Sequence, residues 1–234
     1  MYIIRLLKLA TIIIFYAIKG VHIYKKQKHS AYFKFIQKWG KQMVKTANIQ
    51  LEVQGQEHIN PNETYVYIAN HSSLFDIPIL LVAIPDYIHF MYKVELEKVP
   101  FLGYGLKHSP FIAIKRDNPK DAMSSIDEAA KAIVNTGSVI LFPEGSRSET
   151  GKVGTFKRGA FLLASKTKKK IIPIAICGSE KIMPTKTFKI RPGKVTVFIG
   201  EAIEKISEDN SEMKKELKQI NEKIAKIVIN HKKN

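Results

Sequence analysis

The sequence predicts an α/β fold with a mostly parallel central sheet flanked by helices. Apolar runs of strand length recur along residues 49–199, and helical patterns fall between them. This alternation is typical of parallel sheets whose two faces are covered by helices. Residues before 48 differ, because they are apolar and basic and contain no acidic side chain. We therefore predict a two-helix arm at 1–47, followed by an α/β domain at 48–234.

Seven strands and four helices are predicted in the α/β domain. The strands lie at about 49–54, 64–69, 88–93, 111–115, 138–142, 171–177 and 194–199, and the helices at about 75–83, 119–136, 157–167 and 207–230. The segment 191–194, Arg-Pro-Gly-Lys, predicts a turn between two strands, so one edge of the sheet is expected to be antiparallel. The last helix has an apolar stripe that is typical of core packing: Met213, Leu217, Ile220, Ile224 and Ile227.

The charge of the chain requires an anionic partner. The 234 residues carry a formal net charge of +17, which suits nucleic acid, a membrane surface or a phosphorylated substrate. Nucleic acid is not expected, because the aromatic and lysine side chains of the arm fall on different faces of one helix instead of interleaving. The single cysteine, Cys177, excludes a disulfide within the chain.

The first helix of the arm is predicted to dip into one leaflet of a membrane. Residues 3–18 are mostly apolar, but Arg5 and Lys8 interrupt them, and the part from Leu9 is only about 15 Å long as a helix. The hydrocarbon layer of a bilayer is about 30 Å thick, so this segment is too short to span it. A cleaved signal peptide is the alternative, although no small-x-small cleavage site follows Ile18.

The second helix of the arm, at about 30–47, is predicted to lie on an anionic membrane. Its apolar stripe (Tyr32, Phe35, Ile36, Trp39, Met43) faces away from a lysine stripe (Lys34, Lys38, Lys41, Lys45). Such a helix suits the plane of a membrane interface. It would equally suit packing on the protein core with a solvated lysine face, and the two interpretations are compatible.

A histidine and an aspartate follow the predicted strand at 64–69. Five residues of a continuous helix turn by about 500°, which would leave His71 and Asp76 roughly 140° apart. They can meet only if His71 lies in the loop and Asp76 in the first helical turn, where Pro78 is tolerated. Asp76 would then hold the imidazole in one tautomer and leave the other nitrogen free to take a proton. Alternatively, both side chains simply cap the helix.

Other strand ends are expected to place cations near His71. A buried strand ends at 143–148, Pro-Glu-Gly-Ser-Arg-Ser, where Gly145 allows close approach of a ligand and Ser146 and Arg147 supply donors. Another strand ends in Lys115 and Arg116, and Lys157 opens a helix. A phosphate monoester is the natural ligand for such a site.

Four motifs occur in the order found in the glycerolipid acyltransferases. They are Asn70-His71-x4-Asp76, the Ile-Lys-Arg-Asp of 114–117, the Phe-Pro-Glu-Gly-Ser-Arg-Ser of 142–148 and the Ile-Pro-Ile-Ala-Ile of 172–176. Over residues 64–200 the chain resembles the bacterial 1-acylglycerol-3-phosphate acyltransferases of that family. Pro110 and Lys115 depart from the second motif, which usually has a Gly and an acidic residue there, and this leaves the acceptor headgroup open.

The resemblance implies a role for each matching residue. His71 is expected to be the general base, oriented by Asp76; Arg116, Gly145 and Arg147 are expected to bind the acceptor phosphate, and Glu144 to maintain the site. Ser146 replaces the commoner Thr of the motif. Lys93 and Lys157 are added only because they are cations near the motifs.

The implied reaction is direct acyl transfer from acyl-CoA or acyl carrier protein to the sn-2 hydroxyl of lysophosphatidic acid, which gives phosphatidic acid. No nucleophile elbow surrounds Ser72, Ser146 or Ser148, so no acyl-enzyme is required. Backbone amides near Gly145 are expected to hold the oxyanion. Neither a metal nor a cofactor is expected, and the enzyme is expected to be monotopic on the cytoplasmic face of the inner membrane. Another lysolipid acceptor and a non-catalytic basic lipid-binding module are the alternatives.

Overall fold

The computed structural model describes residues 2–115, 118–133, 137–204, 207 and 209–233. The strands are β1 (Ile49–Gln54), β2 (Tyr65–Ala69), β3 (Ile88–Lys93), β4 (Ile112–Ile114), β5 (Ser138–Leu141), β6 (Lys170–Cys177) and β7 (Gly193–Ile199). The helices are α1 (Tyr2–Ala47), α2 (Asp76–Ala83), α3 (Leu102–Lys107), α4 (Pro119–Ile133), α5 (Gly159–Thr167), α6 (Ser179–Ile182) and α7 (Asn210–Lys233). The predicted strands and the four predicted helices of the α/β domain are confirmed where the structure describes them; residues 134–136 and 208, at the ends of two predicted helices, lie outside the described residues. The helices α3 and α6 were not predicted.

The strands form one mixed sheet in the order β1-β7-β6-β2-β5-β3-β4. Every neighbouring pair is parallel except β6 and β7, which are antiparallel. The prediction of a mostly parallel sheet is therefore confirmed, but the antiparallel junction lies inside the sheet instead of at its edge, because β1 pairs outside β7. The connection from β6 to β7 also contains α6, so the predicted turn at 191–194 is only the last part of that connection, and residues 193 and 194 already belong to β7.

Both faces of the sheet are buried, which explains the continuous apolar character of β2. Tyr65, Tyr67 and Ala69 point into the core beneath α1 and α2. Val66 and Ile68 point into the opposite core, which α4, α5 and α7 cover. The apolar stripe of α7 lies in this second core, as predicted. Because β2, β3, β4, β5 and β6 run in the same direction, their carboxyl ends meet at one edge of the sheet.

The arm is one sharply bent helix instead of the two helices that we expected. Helical structure is continuous from Tyr2 to Ala47. The rings of Tyr16 and Phe35 nevertheless stack with centroids 4.5 Å apart, whereas 19 residues of straight helix would separate them by about 28 Å. Tyr24 and Tyr32 also touch, at 5.4 Å. The chain therefore reverses direction between these two tyrosines, and a first limb packs against a second.

The second limb of α1 packs on the protein core. Tyr32, Ile36 and Met43, from the stripe predicted to face a membrane, are buried in the core beneath the sheet. Gly40 allows close contact with α2, since an added Cβ would lie 2.9 Å from the Cβ of Leu81. The alternative of core packing is thus correct for this face, and most of the exposed apolar side chains of α1 lie on the first limb: Ile3, Ile4, Leu7, Phe15 and Ile18.

One helical stretch of the described residues, Ile3–Lys26, is long and apolar enough to cross a membrane as judged by length and composition alone. Its 24 residues correspond to about 36 Å of helix. This is longer than the predicted segment 3–18, so length does not separate a helix lying in one leaflet from one that spans the bilayer.

The side chain of Asn70 extends the pairing between β2 and β6 beyond the last strand residue. Its Nδ2 donates to the carbonyl oxygen of Ile176 at 2.9 Å, and its Oδ1 accepts from the amide of Ile176 at 2.7 Å. Asn70 is buried, so water cannot replace either bond. This amide fixes the end of β2 immediately before His71.

The Asn70→Ala variant is expected to be markedly less stable. It leaves the buried N–H and C=O of Ile176 without partners, which costs about 1–3 kcal/mol for each group. Chemical denaturation of the full chain in mild detergent would measure the loss. Asn62→Ala is the control, because Asn62 is exposed; an equal loss in both variants would contradict the role of Asn70.

Candidate active site

The His71 and Asp76 side chains meet at the carboxyl end of β2. His71 lies in the loop after the strand, and Asp76 is the first residue of α2. Nδ1 of His71 lies 2.7 Å from Oδ2 of Asp76, so the predicted contact is confirmed. Because an ionised carboxylate only accepts hydrogen bonds, Nδ1 carries the hydrogen and Nε2 is left as the acceptor.

The Asp76 carboxylate is held by the loop that it closes. Its Oδ2 also accepts from the backbone amides of Ser72 at 2.8 Å and Ser73 at 2.9 Å. Asp76 is completely buried, and its negative charge lies at the amino terminus of α2, where the helix dipole favours it. The hydroxyl of Ser73 donates to the carbonyl of Met183, and that of Ser72 contacts Ser179. The loop therefore presents the imidazole in one orientation.

A phenylalanine that the sequence analysis did not select fixes the plane of the imidazole. The ring of Phe142 stacks on His71 with centroids 4.0 Å apart and an interplanar angle of 16°. Phe142 directly follows β5, which pairs with β2 through Ile68 and Leu141. Its place at a strand end, as the first residue of the motif at 142–148, was the available signal. Without knowing that β5 pairs with β2, that signal did not identify Phe142 as a neighbour of His71.

Glu144 connects the histidine loop to a second loop. Its Oε1 accepts from the His71 amide and its Oε2 from the Gly154 amide, both at 2.7 Å. Burial raises the pKa of the Glu144 carboxyl, while the two amide donors oppose that shift. The Ser148 amide also donates to the His71 carbonyl, at 2.8 Å. The loop after β5 is thus joined to His71 at two points, which gives the predicted structural role of Glu144 a physical basis.

Gly145 occupies a turn that disfavours other residues. Its φ of 79° lies in the left-handed region. The Gly145 amide donates to the Phe142 carbonyl at 3.0 Å, so it is engaged within the loop, and the expectation that backbone amides near Gly145 hold an oxyanion stays a prediction. Within the described part of the chain, the neighbouring amides of Ser146 and Arg147 have no protein acceptor.

The predicted cations are only partly brought together. Lys157 lies beside Gly145, since an added Cβ on that glycine would be 3.0 Å from Nζ. Arg147 is half-buried in the same loop. Neither Lys157 nor Arg147 forms an ion pair with any residue that the structure describes. The exposed Ser146 lies between Gly145 and Arg147.

The other two predicted cations lie farther along the sheet or outside it. Lys93 ends β3, two strands from β2, and its ammonium pairs with Glu95 at 2.8 Å. Neighbouring strands are about 4.8 Å apart, so the end of β3 is about 10 Å from that of β2. Arg116, which follows β4, lies outside the described residues.

The Glu144→Gln variant is expected to lose about 1–3 kcal/mol of unfolding free energy. Glutamine has one side-chain oxygen and one amide NH2 group. The NH2 group can only donate, so the backbone amide of either His71 or Gly154 would lose its acceptor. Thermal or chemical unfolding measures this loss. Glu149→Gln, which changes an exposed carboxylate of the same loop, should cost less than about 0.5 kcal/mol. Equal losses would show that the two amide bonds do not stabilise the fold.

Comparison with known proteins agrees with this architecture. The family model described as Acyltransferase matches residues 50–177, which is more than half of the chain. The crystal structure of the 1-acyl-sn-glycerophosphate (LPA) acyltransferase PlsC from Thermotoga maritima superposes with a TM-score of 0.78 at 25% identity. That match covers 96% of this chain and 94% of the Thermotoga chain.

Curated relatives carry a consistent name. The chain is 34% identical to a chloroplastic 1-acyl-sn-glycerol-3-phosphate acyltransferase of Brassica napus, over 65% of this chain and 44% of that protein. It is 32% identical to the mouse 1-acyl-sn-glycerol-3-phosphate acyltransferase alpha, over 64% of this chain and 54% of that one. The chain thus spans about half the length of these relatives. Together with the family match and the shared fold, these findings show that the chain belongs to the acyltransferase family.

Proposed function

We propose that the protein transfers a fatty acyl group from a thioester to the sn-2 hydroxyl of 1-acylglycerol-3-phosphate, giving phosphatidic acid. The observation that carries this proposal is the hydrogen bond between His71 Nδ1 and Asp76 Oδ2, which leaves Nε2 as an acceptor. The names of the curated relatives and of the Thermotoga protein support the choice of acceptor.

His71 acts as the general base in this mechanism. Its Nε2 takes the proton from the acceptor hydroxyl while the hydroxyl oxygen attacks the thioester carbonyl. The buried Asp76 carboxylate stabilises the imidazolium that forms. Collapse of the tetrahedral intermediate breaks the carbon–sulfur bond, and the imidazolium returns its proton to the leaving thiolate. No covalent acyl-enzyme, metal ion or cofactor takes part.

The amides of Ser146 and Arg147 are suited to hold the oxyanion. They follow the turn at Gly145, whose own amide is used within the loop. Two preorganised donors at such a position stabilise the charge that develops on the carbonyl oxygen. The loop is attached to His71 through Glu144 and Ser148, which would hold base and donors at a constant separation.

The acceptor phosphate binds to Lys157 and Arg147 in this proposal. The ammonium of Lys157 lies next to Gly145, and the guanidinium of Arg147 offers a planar pair of donors for phosphate oxygens. The family motif adds Arg116. Lys93 makes a smaller contribution, because Glu95 already neutralises it.

The donor is acyl-CoA or acyl carrier protein, and the reaction takes place at an anionic membrane surface. The apolar first limb of α1 and the absence of acidic residues before Glu52 support a membrane-bound enzyme. We place it on the cytoplasmic face of the inner membrane, where soluble thioester donors are available. A different lysolipid acceptor would use the same chemistry.

Release of free thiol from an acyl thioester tests the reaction. With the full chain in detergent micelles, thiol release should require lysophosphatidic acid, and an acceptor panel should rank phosphate monoesters first. His71→Ala should lower kcat by about 100- to 10,000-fold. Asp76→Asn should lower it less, and the double variant should be no slower than His71→Ala, because the two side chains act as one unit. Undiminished thiol release by His71→Ala would reject the mechanism.

Lys157→Gln tests the phosphate site. A hydrogen bond to a charged group contributes about 1.5–3 kcal/mol, so kcat/KM for lysophosphatidic acid should fall about 10- to 100-fold. The value for a monoacylglycerol without phosphate should change little. Lys166→Gln is the matched control, because Lys166 lies on α5, which begins two residues after Lys157, and its ammonium pairs with Asp127. Equal losses for both acceptors would place Lys157 outside the phosphate site.

A further inference from the structure

The segment between β3 and β4 exposes an unusual number of large apolar side chains. Leu96, Val99, Phe101 and Tyr104 are between 39% and 51% exposed, all within nine residues. We call these four side chains the α3 surface. Exposed apolar side chains are ordinary when scattered, whereas a concentrated patch marks an interaction site.

The α3 surface adjoins the exposed side of the first limb of α1. Gly105 of α3 packs directly on Ala17, since an added Cβ would lie 2.9 Å from the alanine Cβ. Ala17 is flanked along the helix by Phe15 and Ile18, which are both half exposed. Exposed apolar side chains continue from there toward the amino terminus through Leu7. The two exposed apolar sets are therefore neighbours on the same side of the protein.

The backbone holds Phe101 outward at a cost. Its φ of 62° and ψ of −52° lie outside the regions that non-glycine residues favour, which costs about 1–3 kcal/mol. The turn is nevertheless tightly built, because Gly103 donates to the Val99 carbonyl at 2.7 Å, and an added Cβ on Gly103 would lie 2.0 Å from the Glu97 carbonyl oxygen. Because 51% of Phe101 is exposed, only part of this residue packs within the chain.

Charge around the α3 surface favours an anionic partner. Two acidic residues lie beside the α3 surface: Glu95 pairs with Lys93 at 2.8 Å, and Glu97 accepts a hydrogen bond from the Tyr92 hydroxyl at 3.0 Å. Three lysines of the same segment, Lys93, Lys98 and Lys107, outnumber them. Lys98 and Lys107, by contrast, form no ion pair with any residue in the described ranges. An apolar patch bordered by unpaired lysines matches the interface of an anionic bilayer, where acyl chains lie below charged headgroups.

We propose that the α3 surface is a second lipid-contacting element, which enters an anionic phospholipid bilayer beside the first limb of α1. This inference rests on the membrane-bound character of the proposed function. Because the segment follows the carboxyl end of β3, it lies on the sheet edge that also carries His71. Contact at this second point would hold that edge of the sheet against the lipid.

Vesicle flotation with the full chain tests this proposal. Phe101→Ser should bind vesicles of phosphatidylglycerol and phosphatidylcholine about tenfold more weakly, since burying one Phe side chain contributes about 1.5–3 kcal/mol. The control is Ile229→Ser, which changes a side chain that is also 51% exposed but lies on α7, across the sheet. The control should bind like the unchanged protein, and equal binding by Phe101→Ser would overturn the proposal.

A second readout locates the side chain directly. A Phe101→Cys variant carrying an environment-sensitive fluorophore should be quenched by nitroxide-labelled lipid, and an Ile229→Cys variant labelled in the same way should not. Absence of quenching at position 101 would overturn the proposal. A second contrary result would be a dimer in lipid-free solution that dissociates in the Phe101→Ser variant while vesicle binding stays unchanged, because the α3 surface would then bind another copy of the chain. Thiol release in detergent micelles should be unchanged in Phe101→Ser, which separates failure of lipid docking from failure of the catalytic proposal.

Discussion

A single carboxylate oxygen organises the site. Oδ2 of Asp76 accepts from the imidazole of His71 and from the amides of Ser72 and Ser73, and the whole side chain is buried. A buried charge is stable only when donors compensate for it. All three donors meet Oδ2, whereas the buried Oδ1 has no partner among the described residues, so the loop must fold tightly around Oδ2. The same constraint selects the tautomer of His71 and directs its other nitrogen away from the carboxylate. The orientation and the tautomer of the imidazole thus have one common cause.

The parts of the site that are close in the chain could be predicted from the sequence. Five residues and a proline in the first helical turn were enough to place His71 in a loop and Asp76 on α2. The stacking of Phe142 and the bridge made by Glu144 could not be predicted, because both depend on β5 pairing beside β2. The distance of Lys93 from His71 also depends on strand order, which puts β3 two strands from β2; the role of Lys93 stays a prediction. The roles of Arg116, Ser146 and Arg147 stay predictions.

The arm shows a second limit of predicting structure from local sequence patterns. Neither proline nor glycine occurs between Val21 and Ala31. The sequence predicted two helical segments, at 3–18 and about 30–47, but it did not indicate that the helix continues through the bend and folds back on itself. The reversal is visible only through contacts between distant residues, such as the stacking of Tyr16 on Phe35. Helical periodicity correctly identified the apolar stripe around Ile36, but periodicity cannot distinguish a face that meets lipid from one that meets protein. Tertiary packing decided that this stripe is core.

The contacts of Gly154 connect the catalytic loop to the carboxyl-terminal helix. Its amide donates to Glu144, and its carbonyl accepts from the side chain of Asn221 on α7 at 2.8 Å. Three links therefore join His71 to α7: the His71 amide, the Glu144 carboxylate and the Gly154 peptide. Removing or displacing α7 would break the hydrogen bond between Asn221 and Gly154. The Glu144 carboxylate, and through it the His71 loop, would then be held less firmly, although α7 lies on the other face of the sheet. A helix that lies on the far side of the sheet from His71 thereby becomes part of what holds this side chain in place.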